Sequence, residues 1–214
     1  MKTLTKLALG MMGKLRPKPA IGDAAPRIAL PVPQKDGGMP LMEALARRRS
    51  AREFVSLELP LPALSDLLWA ANGVNRPKRG RTAPSALNAQ EIDLYVALPS
   101  GAYLYDADEH ALRLVAGADL RRVTGYQDFV DEAPVDLVLV ADHGRMNLIP
   151  AHFRESYASV AAGAVSQNVY LFCASSGLAT VIRAWIDRDA IADALGLNHD
   201  QQVLLSQTVG YPRT

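Results

Sequence analysis

Apolar positions recur along this chain at two spacings, and the spacings sort it into elements. Leu61, Leu64, Leu67, Leu68 and Ala71 fall on one helical stripe with Gly73 after it, which predicts a helix over Leu61 to Asn72. Met39 to Arg49 predicts a second helix. Ile92 to Leu98 and the β-branched run Val135 to Ala141 predict strands, the latter buried. Tyr103 to Tyr105 and Leu112 to Val115 flank the polar stretch Asp106 to His110, the pattern of a hairpin. Asp119 to Thr124 predicts a short helix, and Arg76 to Ala89 reads as a loop. Arg154 to Ser176 predicts the longest helix, ended by Gly177. Its Ala158, Ala161, Ala162, Gly163 and Ala164 let another helix come close, so it is expected at the centre, at a dimer interface. Leu178 to Ile182 predicts a strand, Asp187 caps a helix that runs to Leu195 and stops at Gly196, and Gln202 to Val209 predicts the last strand. Strands and helices mix without regular alternation, so the expected class is α+β rather than doubly wound.

The first 37 residues follow neither spacing. Pro17, Pro19, Pro26, Pro31 and Pro33 predict an extended arm, with Ile28, Leu30 and Val32 laid along a surface. The expectation is therefore an arm over residues 1–37 and one domain over residues 38–214. Lys2 and Lys6 precede a short apolar run, Leu7 to Met12, in the manner of a stunted export signal. The run is brief, Lys14, Arg16 and Lys18 follow it, and no small-x-small cleavage site is present. A retained arm and a cytoplasmic protein are expected, with an exported form as the alternative. No apolar stretch is long enough to span a bilayer.

Charge and motif content narrow the function. Twenty-three basic and 22 acidic residues leave a formal charge of +1, which gives no footprint for nucleic acid. The single cysteine, Cys173, excludes an intramolecular disulfide and a cysteine-rich metal site, and its apolar helix makes it a small buried hydrophobe. His110, His143, His152 and His199 lack metal-ligand spacing. There is no Gly-x-Ser-x-Gly elbow, no Walker A loop and no Gly-x-Gly-x-x-Gly turn.

Two segments can carry chemistry. Arg47-Arg48-Arg49-Ser50-Ala51-Arg52 puts four arginines in six residues. They repel one another unless an anion joins them, and guanidinium groups grip phosphate with paired charge-assisted hydrogen bonds. A solvated helix end, with basic residues complementing the dipole, is the plain alternative. The second segment, Arg81 to Gln90, is a polar loop entering the strand at Ile92. It is either an ordinary turn or a wall of short polar groups for a flat heterocycle.

Taken in order, these segments resemble the nitroreductase superfamily. The resemblance runs through Arg48-Arg49-Ser50-x-Arg52-x-Phe54, the helix ending Leu67-Leu68-Trp69-Ala70-Ala71-Asn72-Gly73, and the Pro84-Ser85-x-x-Asn88-x-Gln90 loop. It continues through the strand after Pro134, Gln167-Asn168 on the long helix, Gly177-Leu178-Ala179-Thr180, and Gly210-Tyr211-Pro212. It covers residues 38 to 212. The wording of Asn72 to Arg76 and of Arg81 to Ser85 is most similar to the branch of SagB-type azoline dehydrogenases.

The resemblance implies an α+β sandwich with a central mixed, mostly antiparallel sheet flanked by helices, assembled as an intertwined homodimer with one FMN in each of two interfacial pockets. By that resemblance Arg48, Arg49, Ser50 and Arg52 hold the FMN phosphate, ribityl chain and pyrimidine edge. Pro84, Ser85, Ala86, Leu87 and Asn88 come from the partner and flank the isoalloxazine. Gln127 reaches the flavin's polar edge or ribityl hydroxyls, and Val181-Ile182-Arg183-Ala184 brings a backbone donor to flavin N5. Two departures stand out. Arg213 is the one basic residue after Gly210-Tyr211-Pro212 that can approach the phosphate. Val181-Ile182-Arg183-Ala184 stands where the family has a Pro-x-Glu-Gly turn, so the Arg183 cation either favours the reduced flavin or points to solvent. The implied activity is transfer of electrons from NADH or NADPH through the flavin to a nitroaromatic, a quinone or another small acceptor, with ping-pong kinetics and no protein nucleophile. The alternatives are a SagB-type dehydrogenase acting on a peptide heterocycle, and a non-enzymatic flavin-binding protein.

Overall fold

The computed structural model describes residues 2–213. In chain order the elements are α1 (Thr3–Met11), β1 (Lys18–Pro19), β2 (Arg27–Ala29), α2 (Leu41–Arg47), β3 (Phe54–Val55), α3 (Leu61–Asn72), β4 (Val74–Arg76), β5 (Gly80–Arg81) and β6 (Ile92–Leu98). They continue with β7 (Gly101–Asp106), β8 (Ala111–Ala116), β9 (Ala118–Asp119), β10 (Val135–Asp142), α4 (Ala151–Ser176), β11 (Ala179–Arg183), α5 (Arg188–Leu195) and β12 (Gln201–Pro212).

The main sheet runs β11-β12-β10-β6-β7-β8-β2, with β3 added at the far end of β12. Every pairing among the described residues is antiparallel, where a mixed sheet was expected. Period-two alternation explains how the sheet separates two cores. On β10, Leu137, Leu139 and Ala141 face a core shared with α3 and α4, while Val138 and Val140 face a second core shared with α5. Both faces of β10 are covered, which is why Leu137 to Ala141 reads as an unbroken apolar run.

α3 spans the residues its stripe predicts, with Leu64, Leu67, Leu68 and Ala71 buried. Each of the leucines contributes about 1.5–3 kcal/mol through burial. α4 is the 26-residue central helix, closed by Gly177 at φ 70°. No helix among the described residues is long and apolar enough to cross a membrane.

The N-terminal segment departs from an extended arm. Thr3–Met11 is a helix docked on the second core through Leu7 and Leu9. Gly10 permits that docking, because a Cβ there would lie 2.5 Å from the Tyr126 ring. Lys6 is fully buried. Its ammonium lies 2.8 Å from Asp131 and donates to the carbonyls of Gly125 and Gln127 at 3.3 and 3.2 Å. Burial lowers the Lys6 pKa, opposed by Asp131. Farther on, β2 adds an edge strand to β8, and a chain of hydrogen bonds ties the segment after it to α3. Ser65 donates to the Pro31 carbonyl at 2.6 Å and meets His110 Nε2 at 2.6 Å, while His110 Nδ1 meets the Tyr105 hydroxyl at 2.9 Å.

Candidate functional site

α2 ends at Arg47, and the chain turns outward through Arg48, Arg49, Ser50 and Arg52 before pairing as β3 with β12. Arg47 closes an i,i+4 ion pair with Glu43. Among the described residues Arg48, Arg49 and Arg52 have no carboxylate partner. Three guanidinium groups are thus crowded together without counter-charge. Arg48 and Arg49 line a cleft of about 490 Å³ together with Arg47, Tyr170, Thr180 and Pro212, and Arg52 lies outside its walls.

Tyr170 joins this cluster to the sheet, and sequence reasoning missed it. Its hydroxyl accepts from the Ile182 N–H at 3.1 Å and shares a 2.7 Å hydrogen bond with Ser50, while the Arg48 guanidinium stacks on its ring at 5.2 Å. The available signal was its position three residues after Gln167, on the same face of α4. β11 is the edge strand of the sheet, and its outward groups are those of the even-numbered residues. The Thr180 carbonyl accepts from Ala51 at 3.0 Å, and the Ile182 N–H is taken by Tyr170. Ala184, just past the strand, has an N–H with no hydrogen-bond partner among the described residues.

The Val181 to Ala184 segment is therefore where the sheet edge meets the arginine cluster, but the Arg183 side chain points to neither of its expected places. It turns under the sheet, 6 % exposed, and pairs with the fully buried Asp136 at 2.8 Å. Thr208 bridges the two, and the Arg183 guanidinium also stacks on Phe129 at 5.5 Å. Burial pushes the Asp136 carboxyl up, against the pull of Arg183 and Thr208. The guanidinium is thus compensated from below and offers no free cation at the edge.

Gln127 comes close to this segment across Gly125, where a Cβ would lie 2.7 Å from Arg183 Nε and 3.0 Å from Gln127 Oε1. Both of those polar atoms are buried without a hydrogen-bond partner. Arg213 lies beside β3, donating to the Phe54 carbonyl at 3.1 Å and pairing with Glu132 at 3.3 Å. Its charge is already answered.

The Pro84 to Asn88 loop is not brought to the arginines within one chain. Pro84, Ser85 and Ala86 line a small apolar cavity with Tyr157, Val160 and Ala161 of α4. Arg48 sits on Tyr170, whose position is about 15–20 Å farther along the same helix at 1.5 Å per residue. The loop's side of α4 exposes Leu87, Val160 and, nearby, Leu148 at 72 %, 73 % and 85 %. Cys173 is buried, and burial pushes its thiol well up.

Fold and site together define an α+β sandwich with a cluster of arginines at its sheet edge that has no carboxylate partner among the described residues. The Nitroreductase family profile matches residues 45–211. A protein of Methanocaldococcus jannaschii described as a putative nitroreductase is 32 % identical over 160 residues, covering 70 % of this chain and 81 % of that one. A crystal structure of a protein from Ralstonia eutropha, also described as a putative nitroreductase, matches with TM-score 0.90 and 52 % identity over 94 % of this chain and 96 % of that one. The NADPH:FMN oxidoreductase of Vibrio harveyi, solved with NAD+, shares the fold at TM-score 0.59 and 20 % identity, over 81 % of this chain and 69 % of that chain. This chain belongs to the Nitroreductase family.

Proposed function

We propose that this chain is an FMN-dependent oxidoreductase that, as a homodimer, takes electrons from NADH or NADPH and passes them to a small acceptor such as a nitroaromatic or a quinone. One observation carries the reading. Three arginines without counter-charge stand beside an edge strand whose continuation, at Ala184, carries a free N–H. A phosphate on the arginines and a hydrogen-bond acceptor at Ala184 would satisfy both.

The residues fit that cofactor. Arg48, Arg49 and Arg52, with the Ser50 hydroxyl, would hold the phosphate and ribityl chain. Tyr170 fixes Ser50 and Arg48 in place for that task. The Ala184 N–H would meet flavin N5, and Gln127, whose Oε1 is buried against Gly125, would reach the flavin's polar edge only with its amide turned outward. When bound, FMN supplies hydride acceptance at N5 and release of the electrons to the second substrate. Pro84, Ser85, Ala86, Leu87 and Asn88 would close the pocket from the partner subunit, since their own chain holds them away from its arginines. The exposed Leu87, Val160 and Leu148 suit burial in such an interface.

The purified protein is expected to be yellow and to bleach on anaerobic titration with NADH or NADPH. A colourless protein that takes up no added FMN overturns the reading. Light scattering that finds a stable FMN-loaded monomer overturns the shared pocket.

A further inference from the structure

A second basic segment lies outside the site described. Arg76-Pro77-Lys78-Arg79-Gly80-Arg81 places four cations in six residues with no acid among them. β4 and β5 fold it into a hairpin whose tip is Lys78 and Arg79. Arg76 and Lys78 have no carboxylate partner among the described residues. Beside the hairpin opens a cleft of about 670 Å³ lined by Lys78, Arg79, Arg81, Arg113 and Arg145 against three aspartates, so its walls are two charges positive. Arg79 pairs with Asp108, Arg113 with Asp106 and Arg145 with Asp93. Arg81 also reaches Asp108 at 4.0 Å, and Glu109 and Asp142 lie on Arg113 and Arg145, so the cations left without an acid are Lys78 in the cleft and Arg76 beside it.

The backbone here is strained. Lys78 and Arg79 have φ of 61° and 60°, in the left-handed region that a tight hairpin requires and that glycine or asparagine enters at little cost. Leu87, Asn88 and Gln90, in the adjoining loop, have φ of 52°, 55° and 52°. Only His110 shares this property among the other described non-glycine residues. Such strain persists where the surroundings hold it and gathers at functional sites. Gln90 welds hairpin and loop into one unit. Its amide donates to the Arg79 carbonyl at 2.8 Å, its side-chain carbonyl accepts from Arg81 at 3.2 Å, and its own N–H donates to Ser85 at 3.0 Å.

We infer that this hairpin and its cleft receive the phosphate groups of the nicotinamide donor, and that the dianionic 2′-phosphate makes NADPH the preferred donor. The inference rests on the proposed function. A nicotinamide stacked on a flavin under the partner's Pro84 to Asn88 loop has its anionic tail beside the hairpin that Gln90 fastens to that loop. The strain is then explained by what it presents. Two left-handed glycines would close the hairpin at lower cost but would offer no charge.

The test is the double variant Lys78→Gly/Arg79→Gly, which removes both charges and relieves the backbone. FMN content and thermal midpoint should hold or rise, and kcat should be retained. KM for NADPH should rise about ten-fold or more, and KM for NADH by less. Calorimetric binding of adenosine 2′,5′-bisphosphate to the FMN-loaded protein should weaken in step and should weaken in the parent as salt rises. An unchanged KM for NADPH, or unchanged binding of the bisphosphate, overturns the inference. So does an equal loss for the two nicotinamides. If neither nicotinamide bleaches the parent protein, the failure lies with the proposed function. If the parent is bleached and the variant is indifferent, only the hairpin site falls.

Discussion

Arg48 and Arg183 lie on either side of the same edge strand, and the chain answers their charges in opposite ways. Arg183 is buried on Asp136, with Thr208 between them, and a stacked Phe129 completes its surroundings. Arg48 is half exposed, packed on Tyr170, and has no acid beside it. A cation whose counter-charge comes from its own fold belongs to the architecture. A cluster that leaves three cations unanswered is, on the proposed reading, the place for an anion from outside. The buried pair holds β11, β10 and β12 in register, and the exposed cluster uses the edge so positioned.

The largest effect should come from breaking the buried pair. Asp136→Asn leaves Arg183 without a counter-charge in the interior and should destabilise the protein by about 3–5 kcal/mol in urea unfolding. A loss below about 1 kcal/mol would erase the contrast. Arg48→Ala should leave the flavin-free fold intact and weaken FMN binding by about 1.5–3 kcal/mol, roughly ten- to a hundred-fold in Kd. Riboflavin, without the phosphate, should be little affected, and fluorescence titration of both ligands gives the comparison. Equal losses would mean that Arg48 supports the pocket through Tyr170 rather than through phosphate.

A smaller effect concerns the half-buried His110. Burial lowers the His110 pKa below its ordinary 6.5, so the unfolded chain takes up the proton first. Stability present above pH 6.5 should therefore fall as the pH drops below it. The Tyr105 hydroxyl must also turn its proton away from a protonated Nδ1. Urea midpoints at about pH 5 and about pH 7.5, on either side of the ordinary histidine range, should differ by less in His110→Gln than in the parent. The smallest effect should follow Glu43→Ala, which breaks an exposed i,i+4 pair and should change stability by at most about 0.5 kcal/mol.

Much of this was legible in the sequence wherever one local rule dominated. The stripe of α3, the run of β6 and the Asp187 and Gly196 ends of α5 lie where spacing and caps put them. The arginine cluster was legible because like charges crowded into so short a stretch repel, and the crowding itself calls for an anion. What escaped notice depends on tertiary context. Asp136 hides in a run that reads as wholly apolar, because its partner is 47 residues away. The Thr3–Met11 helix depends on Gly10 meeting Tyr126 and on Lys6 reaching three residues far along the chain. The β4–β5 hairpin carries Pro77 and Gly80 as ordinary turn residues, but its two left-handed positions are Lys78 and Arg79, so no hairpin-specific Asn-Gly or Gly-Gly pair announced it.

β12 lies between β10 and β11 and also carries β3, and among the described strands it is the last to be synthesised. Until it arrives, β10 has only β6 beside it, and Val135–Asp142 offers an open apolar edge to any chain nearby. β11 and β3 have no partner at all in that interval. Closure of the sheet thus waits on the synthesis of β12, and the interval before it is when this chain is most exposed to aggregation.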